Sequence, residues 1–132
     1  VKRANIKAGW NFDLVDSEYC QFTIYNQGQY YGWHTDTDGN LYYGKGNEWN
    51  KLMRKLSVTV SLSDPEDYEG GVLEFDLRNR GEINTNEIIK CKEILPKGSI
   101  VVFPSYTWHR VSPVTKGTRL SLVQWNLGPG FK

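Results

Sequence analysis

Alternation constrains this chain more than any other feature. Apolar residues recur at every second position in many short runs, far more often than at the spacing of a helix. In a strand, successive side chains point to opposite faces, so a period of two marks a chain that buries one side of each run. The expected strands are Trp10 to Leu14, Cys20 to Tyr25, Tyr30 to Asp36, Lys55 to Leu62, Val72 to Leu77, Ile88 to Ile94, Ser99 to Phe103, Thr107 to Ser112 and Arg119 to Asn126. Turn chemistry falls between them: Asn26-Gln27-Gly28, Asp38-Gly39-Asn40, Asp64-Pro65, Gly70-Gly71, Pro96-Lys97-Gly98 and Lys116-Gly117. Many short strands at this spacing predict an all-β-dominated sandwich or barrel of the jelly-roll kind. Leu41 to Arg54 follows no period and is expected to be a loop, placed to act as a lid.

A chain of 132 residues is the size of one domain, expected over residues 1–132. With 16 basic and 15 acidic side chains, its charge argues for neither nucleic acid nor a membrane as a partner. No apolar run reaches the roughly 20 residues of a spanning helix, so a cytoplasmic location is expected. The chain opens on Val1 as though entering mid-element, which suggests missing N-terminal helical elements. Cys20 and Cys91 lie in no metal-binding spacing and are expected to be reduced packing residues.

The chain has two histidines. In His34-Thr35-Asp36, a strand would put the imidazole and the carboxylate on one face and Thr35 on the other. His109 lies far along the chain, in Tyr106-Thr107-Trp108-His109-Arg110. If the strands wrap around one interior, it can meet the first pair. Two histidines and a carboxylate then form the open-sided triad used by non-haem Fe(II) oxygenases, whereas a structural zinc asks for a fourth ligand that neither cysteine is placed to give.

Arg119 shares a predicted strand face with Ser121, Val123 and Trp125. An arginine there needs an anion, an aromatic face or solvent. Beside an iron site, a dicarboxylate would supply the anion, gripped by the planar guanidinium with help from the Ser121 hydroxyl. Between Leu56 and Leu62, Ser57, Thr59 and Ser61 alternate with leucine and valine. That polar side lines a pocket or faces water. Trp33, Tyr106, Trp108 and Trp125 are either pocket walls or ordinary core.

These residues resemble the Fe(II)/2-oxoglutarate dioxygenases, and within them the prolyl-4-hydroxylase-like, PKHD-type branch. The resemblance runs from Gln21-Phe22-Thr23-Ile24-Tyr25-Asn26 through His34-Thr35-Asp36, Tyr68-Glu69-Gly70-Gly71 and Gly98-Ser99-Ile100-Val101-Val102-Phe103-Pro104 to His109, Arg119, Ser121 and Trp125. It implies a double-stranded β-helix, with His34, Asp36 and His109 on iron and Arg119 on the far carboxylate of 2-oxoglutarate. Tyr25 resembles a tyrosine that reaches the same carboxylate, although a strand aromatic in the core fits its position too. Ser121 and Trp125 resemble pocket-lining residues. The implied cofactors are Fe(II), 2-oxoglutarate as co-substrate and dioxygen, with ascorbate as an optional addition. The implied reaction is hydroxylation of an unactivated C–H bond, coupled to decarboxylation of 2-oxoglutarate to succinate. A peptidyl proline is the first expected substrate; a free amino acid, another small molecule or another protein side chain stays open.

Two features narrow the resemblance. Asp36 is present where halogenating relatives carry a small residue. Trp125 stands six residues after the anchor, where a nucleic-acid demethylase would carry a second arginine. The rival class is a non-catalytic jelly-roll module whose aromatics stack on carbohydrate or peptide. A cupin-like metalloenzyme that does without 2-oxoglutarate is a third reading.

Overall fold

The computed structural model describes residues 1–41, 51–77 and 88–131. A short helix, α1 (Lys2–Lys7), precedes the strands β1 (Asp16–Ser17), β2 (Gln21–Tyr25), β3 (Tyr31–His34), β4 (Leu52–Ser61), β5 (Tyr68–Gly70) and β6 (Leu73–Asp76). The remainder are β7 (Ile88–Lys90), β8 (Ile100–Pro104), β9 (Trp108–Val111), β10 (Val114–Gly117) and β11 (Arg119–Pro129). A single 3₁₀ turn, Pro65–Asp67, leads into β5.

Two antiparallel sheets carry the fold. The first runs β1-β11-β4-β8, with β2 also paired to β11; the second runs β3-β9-β6-β7, and β10 pairs with β5 in a small ribbon. This strand-dominated arrangement is the double-stranded β-helix expected from the sequence. Its spine is the long pair β4 and β11, in register from Ser61 opposite Ser121 to Leu52 opposite Pro129, with one irregularity between Asn126 and Leu127. Leu56 and Leu127 are fully buried on this pair. An apolar cluster of Leu73, Cys91, Ile94 and Val111, with Tyr25, Phe75 and Val101 against it, joins the two sheets.

Local chemistry explains where expectation and structure part. Trp10 to Leu14 is not a strand. The Asn5 side chain takes both backbone groups of Phe12, accepting from its N–H at 2.9 Å and donating to its carbonyl at 2.9 Å, so they are satisfied without a ladder. The segment instead passes close over Gly128, where any Cβ would overlap the Asp13 carbonyl oxygen. The strand expected over Ile88 to Ile94 ends at Lys90, and a turn closes with Leu95 N–H donating to the Lys92 carbonyl. The loop expected over Leu41 to Arg54 ends sooner, because Leu52 to Arg54 already pair with β11. Residues 42–50, which hold the expected lid, lie outside the described residues.

Both cysteines are free thiols. Cys91 packs in the core as expected, but Cys20 is exposed rather than a packing residue of the core. Among the described residues no helix is long and apolar enough to cross a membrane.

Candidate metal and anion site

Between the two sheets lies a cavity of about 350 Å³, reached by side chains from both. The second sheet brings the histidines together by register: His34, at the end of β3, stands opposite His109 on β9. Asp36 is no longer on the strand. It sits in the bend beyond β3, where its N–H donates to the Ser105 carbonyl at 2.9 Å. The alternation expected to align His34 with Asp36 therefore covers only the histidine. The carboxylate is aimed by the bend, in which the Thr35 hydroxyl donates to the Thr37 carbonyl.

The three side chains converge, with one ligand atom from each lying within 4.8 Å of the others. The Nε2 atoms of His34 and His109 lie 3.2 and 3.3 Å from Asp36 Oδ1. Ligands about 2.1 Å from one metal and at right angles to each other lie about 3 Å apart, so this spacing suits adjacent corners of an octahedron.

The hydrogen bonds behind the rings test the fit further. His34 Nδ1 is 2.7 Å from the Gly32 carbonyl and His109 Nδ1 is 2.8 Å from that of Thr107. A carbonyl only accepts, so each Nδ1 carries a proton, and Nε2 is the nitrogen that each ring turns toward the carboxylate. A divalent cation held between these three atoms would take one lone pair from each. Burial pushes the Asp36 carboxyl up, but contacts with His109 and His34, the charge on His109 and the Ser57 hydroxyl outweigh it. The group is held well below the usual carboxylate range and is ionised, as a ligand must be. The residues present fit a divalent metal with imidazole and carboxylate preferences.

The first sheet supplies the other end of the cavity. Arg119, Ser121, Val123 and Trp125 share the inner face of β11 and all line it. Their neighbours are Tyr25 and Thr23 on β2, opposite Arg119 and Ser121, and Thr59 and Ser57 on β4, opposite Val123 and Trp125. Ser57 and Thr59, on the polar side of β4, thus face the cavity rather than water, while Ser61 is buried and donates to the Ser63 carbonyl. Arg119 is 4% exposed, and among the described residues no carboxylate lies within ion-pairing distance of it. Its Nη1 donates to Ser121 Oγ at the long distance of 3.5 Å, and its guanidinium lies 5.4 Å from the Tyr25 ring centre. A buried charge without a partner is costly, and an anion relieves that cost. Burial raises the Tyr25 hydroxyl above its ordinary pKa although Arg119 pulls the other way, so it remains a donor.

Gly71 makes room for the arginine. It sits at φ +55°, and a Cβ there would lie 2.9 Å from Val114 Cγ2 and 3.0 Å from Arg119 Cδ.

Of the four expected aromatic walls, only Trp125 lines this cavity. Trp33, Tyr106 and Trp108 are 37, 53 and 39% exposed, because the register of β3 and β9 that turns both histidines inward turns Trp33 and Trp108 outward. Phe103 takes their place, its ring edge-on to His109 at 4.7 Å. Phe103 and Thr23 read in the sequence as ordinary strand residues, whereas Ser57 stood on the polar side expected to line a pocket or face water. Arg54 was also missed. It lines the cavity with its guanidinium 3.7 Å over the Trp125 ring and pairs through two bonds with Glu18, at 2.6 and 3.1 Å.

The model of the 2OG-Fe(II) oxygenase superfamily matches residues 20–126. This chain belongs to that superfamily. It is 41% identical over 99 residues to a PKHD-type hydroxylase of Hyphomonas neptunium, covering 75% of this chain and 38% of that protein. Against a PKHD-type hydroxylase of Thermosynechococcus vestitus it is 40% identical over 104 residues, covering 79% and 40%. The chain therefore spans about two-fifths of the length of the curated relatives it matches. Among solved structures, a Pseudomonas putida prolyl-4-hydroxylase superposes with a TM-score of 0.62 at 27% identity, over 94% of this chain and 59% of that one. A viral collagen prolyl hydroxylase from Paramecium Bursaria Chlorella virus-1 shares the fold with a TM-score of 0.63 at 23% identity, over 98% and 69%. Fe(II) and 2-oxoglutarate are the cofactors this superfamily implies, and the donor set described above fits the metal.

Proposed function

We propose that this chain forms the catalytic part of an Fe(II)- and 2-oxoglutarate-dependent hydroxylase, with His34, Asp36 and His109 holding iron and Arg119 anchoring the co-substrate. The observation that carries the reading is one cavity with a three-ligand cluster on one wall and a buried guanidinium, lacking a described anion partner, on another. Bound Fe(II), with 2-oxoglutarate and dioxygen, supplies the oxidising chemistry: 2-oxoglutarate becomes succinate and carbon dioxide, and a substrate C–H bond gains a hydroxyl group.

The protein's part is binding and orientation. His34 and His109 offer Nε2 because backbone carbonyls hold the Nδ1 protons on the far side of each ring. Two neutral imidazoles and one carboxylate leave a divalent ion with a single positive charge, which favours an anionic co-substrate. Arg119 grips the distal carboxylate, and Tyr25 and Ser121 add hydroxyl donors beside it. Fixing that end determines which end meets the metal. Phe103, Val111 and Leu73 line the cavity and keep water from the reacting atoms.

A peptidyl proline is the substrate favoured by likeness to the P. putida prolyl-4-hydroxylase and the PKHD-type hydroxylases. The test is anaerobic loading with Fe(II) and 2-oxoglutarate, then addition of oxygen with proline-containing peptides, measuring succinate and the mass of each peptide. Succinate together with a 16 Da mass gain is expected. Succinate release that persists unchanged in Arg119→Ala would overturn the assignment of the anchor.

A further inference from the structure

Asp36 has two oxygens, and only Oδ1 faces the histidines. The other, Oδ2, accepts a hydrogen bond from the Ser57 hydroxyl at 2.6 Å. Ser57 Oγ is in turn 2.9 Å from Ser105 Oγ. A hydroxyl has one proton, and an ionised carboxylate cannot donate, so Ser57 gives its proton to Asp36 and Ser105 gives its own to Ser57. The two serines are 1 and 0% exposed.

The backbone ties the same three elements together. Ser105 accepts from the Asp36 N–H at 2.9 Å and donates its own N–H to the Lys55 carbonyl at 2.9 Å. This matters because Asp36 lies past the end of β3, where no ladder fixes it. Nothing in the coordination chemistry of a carboxylate prevents it from turning to present both oxygens. A second bound oxygen would take a position that the co-substrate or dioxygen needs.

We infer that Ser57, backed by Ser105, is a positioning residue that holds Asp36 to the metal through one oxygen and so keeps a coordination position open. The inference rests on the metal reading given under Proposed function and deepens it. Ser57 is not one of the three candidate ligands; it acts by occupying Oδ2. The buried line Ser105 to Ser57 to Asp36 runs one way, so removing Ser57 frees Oδ2 while removing Ser105 only weakens the bond Ser57 makes.

The experiment titrates the 132-residue chain anaerobically with Co(II), reading affinity and the visible absorption that reports coordination number, with and without 2-oxoglutarate. Ser57→Ala is expected to lower Co(II) affinity about ten- to a hundredfold, to alter the absorption band, and to weaken the spectral change that 2-oxoglutarate produces. Ser105→Ala should shift the affinity in the same direction by about two- to threefold. The double variant should match Ser57→Ala, because both changes break one chain. Ser57→Thr, which keeps the hydroxyl, should restore the parent spectrum. Melting of the metal-free proteins is followed alongside, and if Ser57→Ala does not fold, Ser105→Ala carries the test. Parent-like affinity and spectrum in the folded alanine variants would overturn the inference and leave the metal reading standing. A parent chain that binds no Co(II) would overturn both.

Discussion

The two sheets that face the cavity do unlike work and are built in unlike ways. The sheet β3-β9-β6-β7 brings in the groups proposed to hold the metal, and they are held by hydrogen bonds: a carbonyl behind each imidazole, and Ser57, reaching across from β4, behind the carboxylate. The sheet around β11 and β4 brings in Arg119, and what places that side chain is mostly space, the gap left by Gly71 beside Val114, with one long bond to Ser121. A metal needs ligand atoms fixed to within tenths of an ångström, which directional bonds provide. A guanidinium meeting a carboxylate tolerates more, because charge does part of the positioning. Changes at the metal end should therefore abolish function, and changes at the anion end should grade it.

The largest effect is expected at Asp36. Asp36→Ala removes the one carboxylate of the proposed metal site, and turnover measured as succinate should fall by about a thousandfold or more. Arg119→Met comes next and separates the two ends. Losing a charge-assisted bidentate contact costs about 2 to 3 kcal/mol, roughly 30- to 150-fold in the KM for 2-oxoglutarate, with Co(II) affinity unchanged. The same variant also removes a buried charge, so without ligand its melting temperature should equal or exceed the parent's, and the rise that 2-oxoglutarate gives the parent should vanish. A loss of Co(II) affinity in Arg119→Met would break the comparison, because the two walls would then not act separately.

The same contrast explains what the sequence made legible. Long runs with a clean period of two, such as those that became β4 and β11, announce themselves because the alternation repeats over many residues. The meeting of His34 and His109 follows from such runs, given that they wrap about one interior. Short elements do not announce themselves: β1 has two residues and β5 three, too few for a period, and β5 and β10 exist because they pair with each other across the chain. Helix α1 was missed because its six residues bury only Asn5, so no apolar stripe shows. Trp10 to Leu14 misled because alternation reports burial, and Asn5 can satisfy a strand-like backbone without a sheet. Ser57 and Ser105 were illegible as a pair. Each is a common residue in a common place, and only the three-dimensional path between them gives the pair meaning.

Two smaller predictions sharpen the anion end. Gly71→Ala and Gly28→Ala both place a side chain at positive φ, +55° and +87°, and both should lose about 1 kcal/mol of stability from strain. Only the first puts a methyl group against Arg119, since nothing lies within 4 Å of a Cβ at Gly28. Gly71→Ala should thus raise the 2-oxoglutarate KM severalfold in addition, roughly threefold to tenfold if the arginine shifts by a few tenths of an ångström. Equal kinetics in the two variants would show that space is not what places the anchor.

Tyr25→Phe should have the smallest effect. It removes one hydroxyl donor near the guanidinium and leaves the ring, so the KM should rise by about tenfold at most. Its signature is in the pH dependence of stability. Burial raises the Tyr25 pKa above its ordinary value of 10.0 in the folded chain, so the folded state holds that proton more tightly than the unfolded state does. The stabilisation is complete below the ordinary value and is lost as pH rises from there through the folded value. Urea midpoints followed from about pH 8 to about pH 11 should therefore fall less steeply in Tyr25→Phe than in the parent. Parallel alkaline curves would mean that this hydroxyl is as well solvated folded as unfolded. It would then face water rather than the closed end of the cavity that Arg119 occupies.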